Sequence, residues 1–144
     1  EWKIYVIGDG YLKKEVNDLI NNYGLNNHVF QLSTMNVEKY VNKSSIFLSL
    51  QEKENYPSQS LIEAMAASNA IIATDVGETR KLVSHENGVL LKEQSALELS
   101  RKITKLIKHP DYLNKLGMKS RKKVLTECRV ETFVEYLLRI WREV

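Results

Sequence analysis

The chain has 144 residues, 43% of them hydrophobic, enough to bury one core, so a single domain is the expectation. Its 21 basic and 18 acidic residues leave a formal charge of +3, too balanced for a nucleic-acid binder; the lone Cys128 excludes an internal disulfide and suits a reducing, cytosolic setting. No apolar run approaches the roughly 20 residues that span a bilayer, the opening Glu1-Trp2-Lys3 has no signal-peptide character, and no Cys/His cluster has metal-ligand spacing, so neither a leader nor a zinc site is expected.

In chain order, short β-branched runs alternate with segments whose apolar residues recur every three or four positions. Lys3-Ile4-Tyr5-Val6-Ile7, Val29-Phe30-Gln31-Leu32, Ile46-Phe47-Leu48-Ser49, Ala70-Ile71-Ile72-Ala73-Thr74 and Gly88-Val89-Leu90-Leu91 predict five strands. Leu12 to Tyr23, Val37 to Val41, Gln59 to Ala67 and Glu78 to Val83 predict the helices between them. Strict βα alternation gives an α/β fold with a mostly parallel sheet covered by helices on both faces. Three further helices, Ala96 to Lys108, Asp111 to Leu125 announced by Pro110 at its first turn, and Glu131 to Glu143, form a helical C-terminal tail. No repeat or Gly/Ser-rich linker marks an internal boundary. The basic group Lys115, Lys119, Arg121, Lys122 and Lys123 is either a solvated helix face or a contact for anionic lipid.

In an open parallel sheet a ligand lies beyond the carboxyl ends of the strands, so the loops after the strands are the places to search. After the first strand, Gly8-Asp9-Gly10 lets the backbone turn sharply and approach a ligand; the plain alternative is a tight turn with Asp9 as a local cap. A dinucleotide fingerprint needs a third glycine where Lys13 stands, so NAD binding is not supported. The most informative loop is Glu52 to Ser60. Pro57 sets up an extended-to-helix turn and Ser58 is placed to cap the helix, leaving the amides of Gln59, Ser60 and Leu61 as a phosphate cradle. Glu63 lies in the second turn of that otherwise apolar helix, where a carboxylate either faces solvent or accepts bonds from specific donors such as sugar hydroxyls. Thr74-Asp75-Val76-Gly77 reads as a turn, with its hydroxyl and amides as further candidate lining. His28, His85, His109 and Cys128 have no partner placed by the sequence and are expected to be structural.

Three stretches in order, Leu61-Ile62-Glu63-Ala64-Met65-Ala66-Ala67, Ile71 to Gly77 and Asn87-Gly88-Val89-Leu90-Leu91, resemble the C-terminal domain of the group 1 (family 4) glycosyltransferases of the two-Rossmann GT-B type. Val6-Ile7-Gly8-Asp9-Gly10 and Val29-Phe30 match that family's earlier strands in order and spacing, so the resemblance covers nearly the whole chain. It implies a Rossmann-like, donor-binding half of a retaining enzyme that moves a sugar from a nucleotide diphosphate sugar to a glycan or lipid-linked acceptor. It implies no metal and no other cofactor, and a cytoplasmic site or one at the inner face of the membrane, serving polysaccharide assembly.

The family hallmark is a pair of glutamates with seven residues between them; Glu63 fits the second, the ribose ligand, and the first would fall at Asn55. Glu54 has eight residues between it and Glu63 and takes the sugar-contacting place after a one-residue loop adjustment; the alternatives are Asn55 in that role or lost activity. Leu32 and Ser33 are the implied walls for the nucleotide base. Gly77-Glu78-Thr79 departs from the Gly-Gly-and-glutamate pattern, so that family contact is not carried over. The chain opens on what resembles the family's second strand. The first strand, its glycine-rich loop, a basic pair and the acceptor-binding N-terminal half are therefore expected elsewhere, the fragment is expected to be inactive alone, and an incomplete sheet favours self-association. Rival readings are an epimerase or phosphorylase of the same architecture, or a non-catalytic nucleotide-sugar-binding domain.

Overall fold

The computed structural model describes residues 2–143. Its elements are β1 (Ile4–Ile7), α1 (Lys13–Asn22), β2 (Val29–Leu32), α2 (Glu38–Val41), β3 (Ile46–Ser49), α3 (Gln59–Ala66), β4 (Ala70–Thr74), α4 (Thr79–Leu82), β5 (Gly88–Leu91), α5 (Ala96–Lys108), α6 (Pro110–Glu127) and α7 (Val130–Glu143). The strands stand where the apolar runs place them, and every pairing is parallel, as βα alternation requires. They are distributed over two sheets, β1-β2 and β3-β4-β5, where the sequence suggested one. The reason is in the ladders: among the described residues β1 pairs only with β2, and β3 only with β4. The chain divides into two compact units, residues 1–40 and 41–144.

In the first unit β1 and β2 run in register from Ile4 opposite Val29 to Ile7 opposite Leu32. Tyr5 lies between Phe30 and Tyr40, with ring centroids 5.8 and 5.0 Å away. Trp2 stacks on His28 at 4.5 Å, and His28 Nδ1 lies 3.2 Å from the Trp2 carbonyl oxygen, which gives this histidine a structural place. Helix α1 turns Ile20 inward at four-residue spacing from half-buried Val16.

In the second unit β4 is the central strand, and all five of its residues are buried. Because strand side chains alternate between faces, Ile71 and Ala73 join Leu61, Ala64 and Met65 of α3, Leu82, Val83 and Val124 in one cluster. Ala70 and Ile72 face the other way, onto Leu91, Leu106 and Leu116. Helix α6 supplies Leu116 to one cluster and Val124 to the other, so one element ties the two layers together. It crosses the amino end of β4, where a Cβ on Gly117 would lie 2.1 Å from the Ser68 carbonyl oxygen. This helix runs from Pro110 to Glu127, longer at both ends than its apolar period suggested. By contrast none of the described residues of α7 is buried, and Phe133, Val134, Leu138 and Trp141 all stand exposed.

Gly117→Ala is expected to destabilise the chain by about 1–3 kcal/mol in urea denaturation, although alanine is the better helix former, because the added methyl overlaps backbone that cannot retreat. Gly10→Ala, whose Cβ would meet nothing within 4 Å, should shift stability by less than about 0.5 kcal/mol in the same measurement.

Candidate functional site

Parallel pairing sends the carboxyl ends of β3, β4 and β5 to one end of the sheet, opposite the crossing of α6. The loops after β3 and β4 are joined there. The buried Thr74 hydroxyl donates to the Gln51 carbonyl, and Glu54 Oε1 accepts the backbone N–H of Glu78 at 2.9 Å. Thr74 is thus occupied in holding the two loops and is not free to line a crevice. Gly77 has φ +49°, a region costly for other residues, and a Cβ there would lie 2.4 Å from Glu54 Cδ. Arg80 forks onto Asp75 through Nε at 2.6 Å and through Nη2, bracing the start of α4 against the end of β4. Lys81 pairs with Glu78 at 2.7 Å and lies 5.5 Å from the centre of the Tyr56 ring.

Helix α3 begins at the same end. Its Ser58 stands at the N-cap position in extended conformation, but the expected cap bond is absent: the side chain is buried, and its hydroxyl pairs with Ser60 Oγ at 3.3 Å instead. The first helical bond runs from Ile62 N–H to Ser58 O, and among the described residues no bond engages the amides of Gln59, Ser60 or Leu61. Those three donors carry the positive end of the helix dipole. Glu63 is exposed, on the outer side of a helix whose Leu61, Ala64 and Met65 face the core. Its Oε1 accepts from Gln59 Nε2 at 2.9 Å, so the chain itself supplies the donor and draws the carboxylate toward the amide end. Asn55 is exposed.

In the first unit Gly8 has φ +150°, a conformation open to glycine, whereas Gly10 has no such requirement. Asp9 does not cap α1; its carboxylate takes Lys13 Nζ at 3.4 Å. The same ammonium donates to Ser33 Oγ at 3.0 Å, while the Leu32 carbonyl accepts the Gly8 N–H at 3.0 Å. The loops after β1 and β2 are therefore tied through Lys13, a role its sequence position concealed. An Asp at i and a Lys at i+4 at a helix start was the available signal. The Gly77-Glu78 contact with Glu54 was likewise missed, since nothing in the spacing joins residues 23 and 24 positions apart.

Asn87-Gly88 has a structural explanation. Asn87 is buried, accepts Ser84 N–H at 2.8 Å and donates to the Leu82 carbonyl at 2.9 Å, and a Cβ on Gly88 would meet the Ile71 carbonyl at 2.5 Å.

Comparison with known proteins decides the family. Residues 1–123 match the family described as glycosyl transferases, group 1. The chain belongs to the group 1 glycosyltransferases. An uncharacterized glycosyltransferase of Methanocaldococcus jannaschii is 33% identical over 110 residues, covering 74% of this chain and 28% of that protein. HepE of Anabaena, solved in complex with UDP, superposes with a TM-score of 0.89 at 18% identity, over 99% of this chain and 41% of that one. The C-terminal domain of a group 1 glycosyltransferase, LpcC of Francisella tularensis, gives 0.80 at 24% identity, over 90% and 71%. This glycosyltransferase chain thus has the Rossmann-like, C-terminal type of fold and spans well under half the length of the first two relatives. No helix among its described residues is long and apolar enough to cross a membrane.

The Arg80 hydrogen bond holds the Asp75 carboxyl below its ordinary value of 3.8; desolvation opposes this, and the charges of Arg80 and Lys92 add to it. A carboxylate depressed on folding contributes stability that is complete above its unfolded value and lost as pH falls through the folded one. Asp75→Asn should therefore flatten the fall in Tm between pH ~4 and ~2 relative to wild type; identical acid limbs would show that the fork contributes nothing.

Proposed function

We propose that this chain is the donor-binding half of a retaining glycosyltransferase that takes its sugar from a nucleotide diphosphate sugar. The observation that carries the reading is the start of α3: three amides without a protein partner among the described residues, at the carboxyl end of a parallel sheet, with Glu63 drawn toward them by Gln59. Family membership supports the reaction class, and UDP in HepE supports the kind of ligand. The demanding step is breaking the bond from the anomeric carbon to the diphosphate, which leaves positive character on the sugar and negative charge on the departing oxygen. Amides fixed at a helix start stabilise that charge without reorganising, and one such donor is typically worth about 10²–10³ in rate.

In this reading Glu54 contacts the donor sugar and Glu63 the ribose. Glu54 takes precedence over Asn55 because its carboxylate is already fixed, by the Glu78 amide. Gly8, Gly10, Leu32 and Ser33 are proposed as nucleotide contacts on the family resemblance alone. Ser58, with its hydroxyl turned to Ser60, keeps only the role of shaping the turn. The acceptor is a glycan or lipid-linked sugar in the cytoplasm or at the membrane's inner face, and no metal takes part.

The test is full-length enzyme assayed for hydrolysis or transfer with UDP-glucose, UDP-N-acetylglucosamine and GDP-mannose. Glu54→Gln is expected to lower kcat by about 10²-fold with little change in KM, and Glu63→Gln to raise KM by about tenfold. Absence of turnover with every donor would reject the transferase reading; an unaffected Glu63→Gln would reject the ribose assignment.

A further inference from the structure

The Glu54 side chain lies across the bare α-carbon of Gly77: a Cβ there would sit 2.4, 2.6 and 2.7 Å from Glu54 Cδ, Cγ and Cβ. Its Oε1 accepts the Glu78 N–H at 2.9 Å. Exposed glutamates ordinarily sample many rotamers, and fixing one costs conformational entropy at the moment of use. Here contact along the stem and a bond at the head hold the side chain before any ligand arrives. We propose that Gly77 and the backbone N–H of Glu78 form a seat that positions the Glu54 carboxylate for the donor sugar, leaving Oε2 to accept a sugar hydroxyl. The inference rests on Glu54 being the sugar contact.

Three features suit the loop to this role. Thr79 bonds back to the Val76 carbonyl through its hydroxyl at 2.7 Å and its amide at 3.1 Å, which fixes the turn carrying Gly77. Arg80 on Asp75 and Thr74 on Gln51 secure the flanks independently, so the Glu54 bond is not needed to hold the loop. The Glu78 carboxylate is drawn to Lys81 at 2.7 Å, which offsets a second negative charge beside the seat. Gly77 and Glu78 are positioning residues in this scheme: they act through Glu54. Misplacing a reacting group by about 1 Å costs up to about a hundredfold in rate, so a seat that removes such freedom has a measurable effect.

The experiment uses full-length enzyme and whichever of UDP-glucose, UDP-N-acetylglucosamine or GDP-mannose it turns over, with Gly77→Ala, Glu54→Gln and the double substitution. Gly77→Ala is expected to lower kcat about ten- to a hundredfold with donor KM within about threefold, and the double variant to be no slower than Glu54→Gln alone, since both remove one unit. Should Gly77→Ala fail to fold, Glu78→Pro deletes the N–H without adding atoms at position 77 and is expected to reproduce the kcat loss. Wild-type kcat in whichever of these folds, or effects that multiply in the double variant, would overturn the seat while leaving Glu54 as the sugar contact. An unchanged kcat in Glu54→Gln would instead remove Glu54 from the site, and the seat with it.

Discussion

The second unit is organised by the double burial of β4. A five-residue strand with no solvent-facing side needs an apolar layer on each face, and its alternation of Ile71 and Ala73 against Ala70 and Ile72 assigns those layers residue by residue. Helix α6 can serve both clusters only because Gly117 lets it lie on the backbone at the strand's amino end. The opposite end is thereby left to loops. There Thr74, last in the strand and still buried, has to give its hydroxyl to a partner, and the Gln51 carbonyl accepts it. One obligatory hydrogen bond of the core is thus also the bond that brings the loops after β3 and β4 side by side.

The loops at that end answer one electrostatic demand. A helix start whose first three amides carry no bond among the described residues favours anionic groups, and the chain holds the carboxylates of Glu63, on that helix, and Glu54, on the loop before it, by different means. Glu63 is tethered through a side-chain amide one turn earlier, an arrangement that a competing donor can displace at small cost. Glu54 is held by backbone, whose position is set by the fold. An exchangeable partner suits a group that contacts ligand on arrival, and a fixed one suits a group whose orientation decides reactivity. Group 1 membership gives this arrangement its chemical setting.

Most of the architecture was legible in the sequence for a simple reason. β-branched runs bounded by small or polar residues mark strands well, and four of the five strands match residue for residue, the first being one residue shorter. Two helix starts were less legible because their usual chemistry is missing: Leu12 and Ser58 stand at cap positions without making side-chain cap bonds, whereas Pro110 does stand in the first turn of α6. At the site, the Pro57 turn and the helix start could be read from local residue types. The Ser58 hydroxyl could not, since its burial beside Ser60 depends on packing. The contacts of Glu54 with Gly77 and of Lys13 with Ser33 join separate loops, and no local periodicity encodes such pairs.

The two tryptophans are both exposed. Trp2 is 45% exposed and stacked on His28 in the first unit, and Trp141 is 70% exposed on α7. Neither is among the buried or half-buried members of the clusters built on β4. Tryptophan emission therefore reports chiefly the surroundings of these exposed rings. Far-UV circular dichroism, which sums every helix, α3 and α6 included, follows the loss of that core, while the two indoles report their own exposed surroundings.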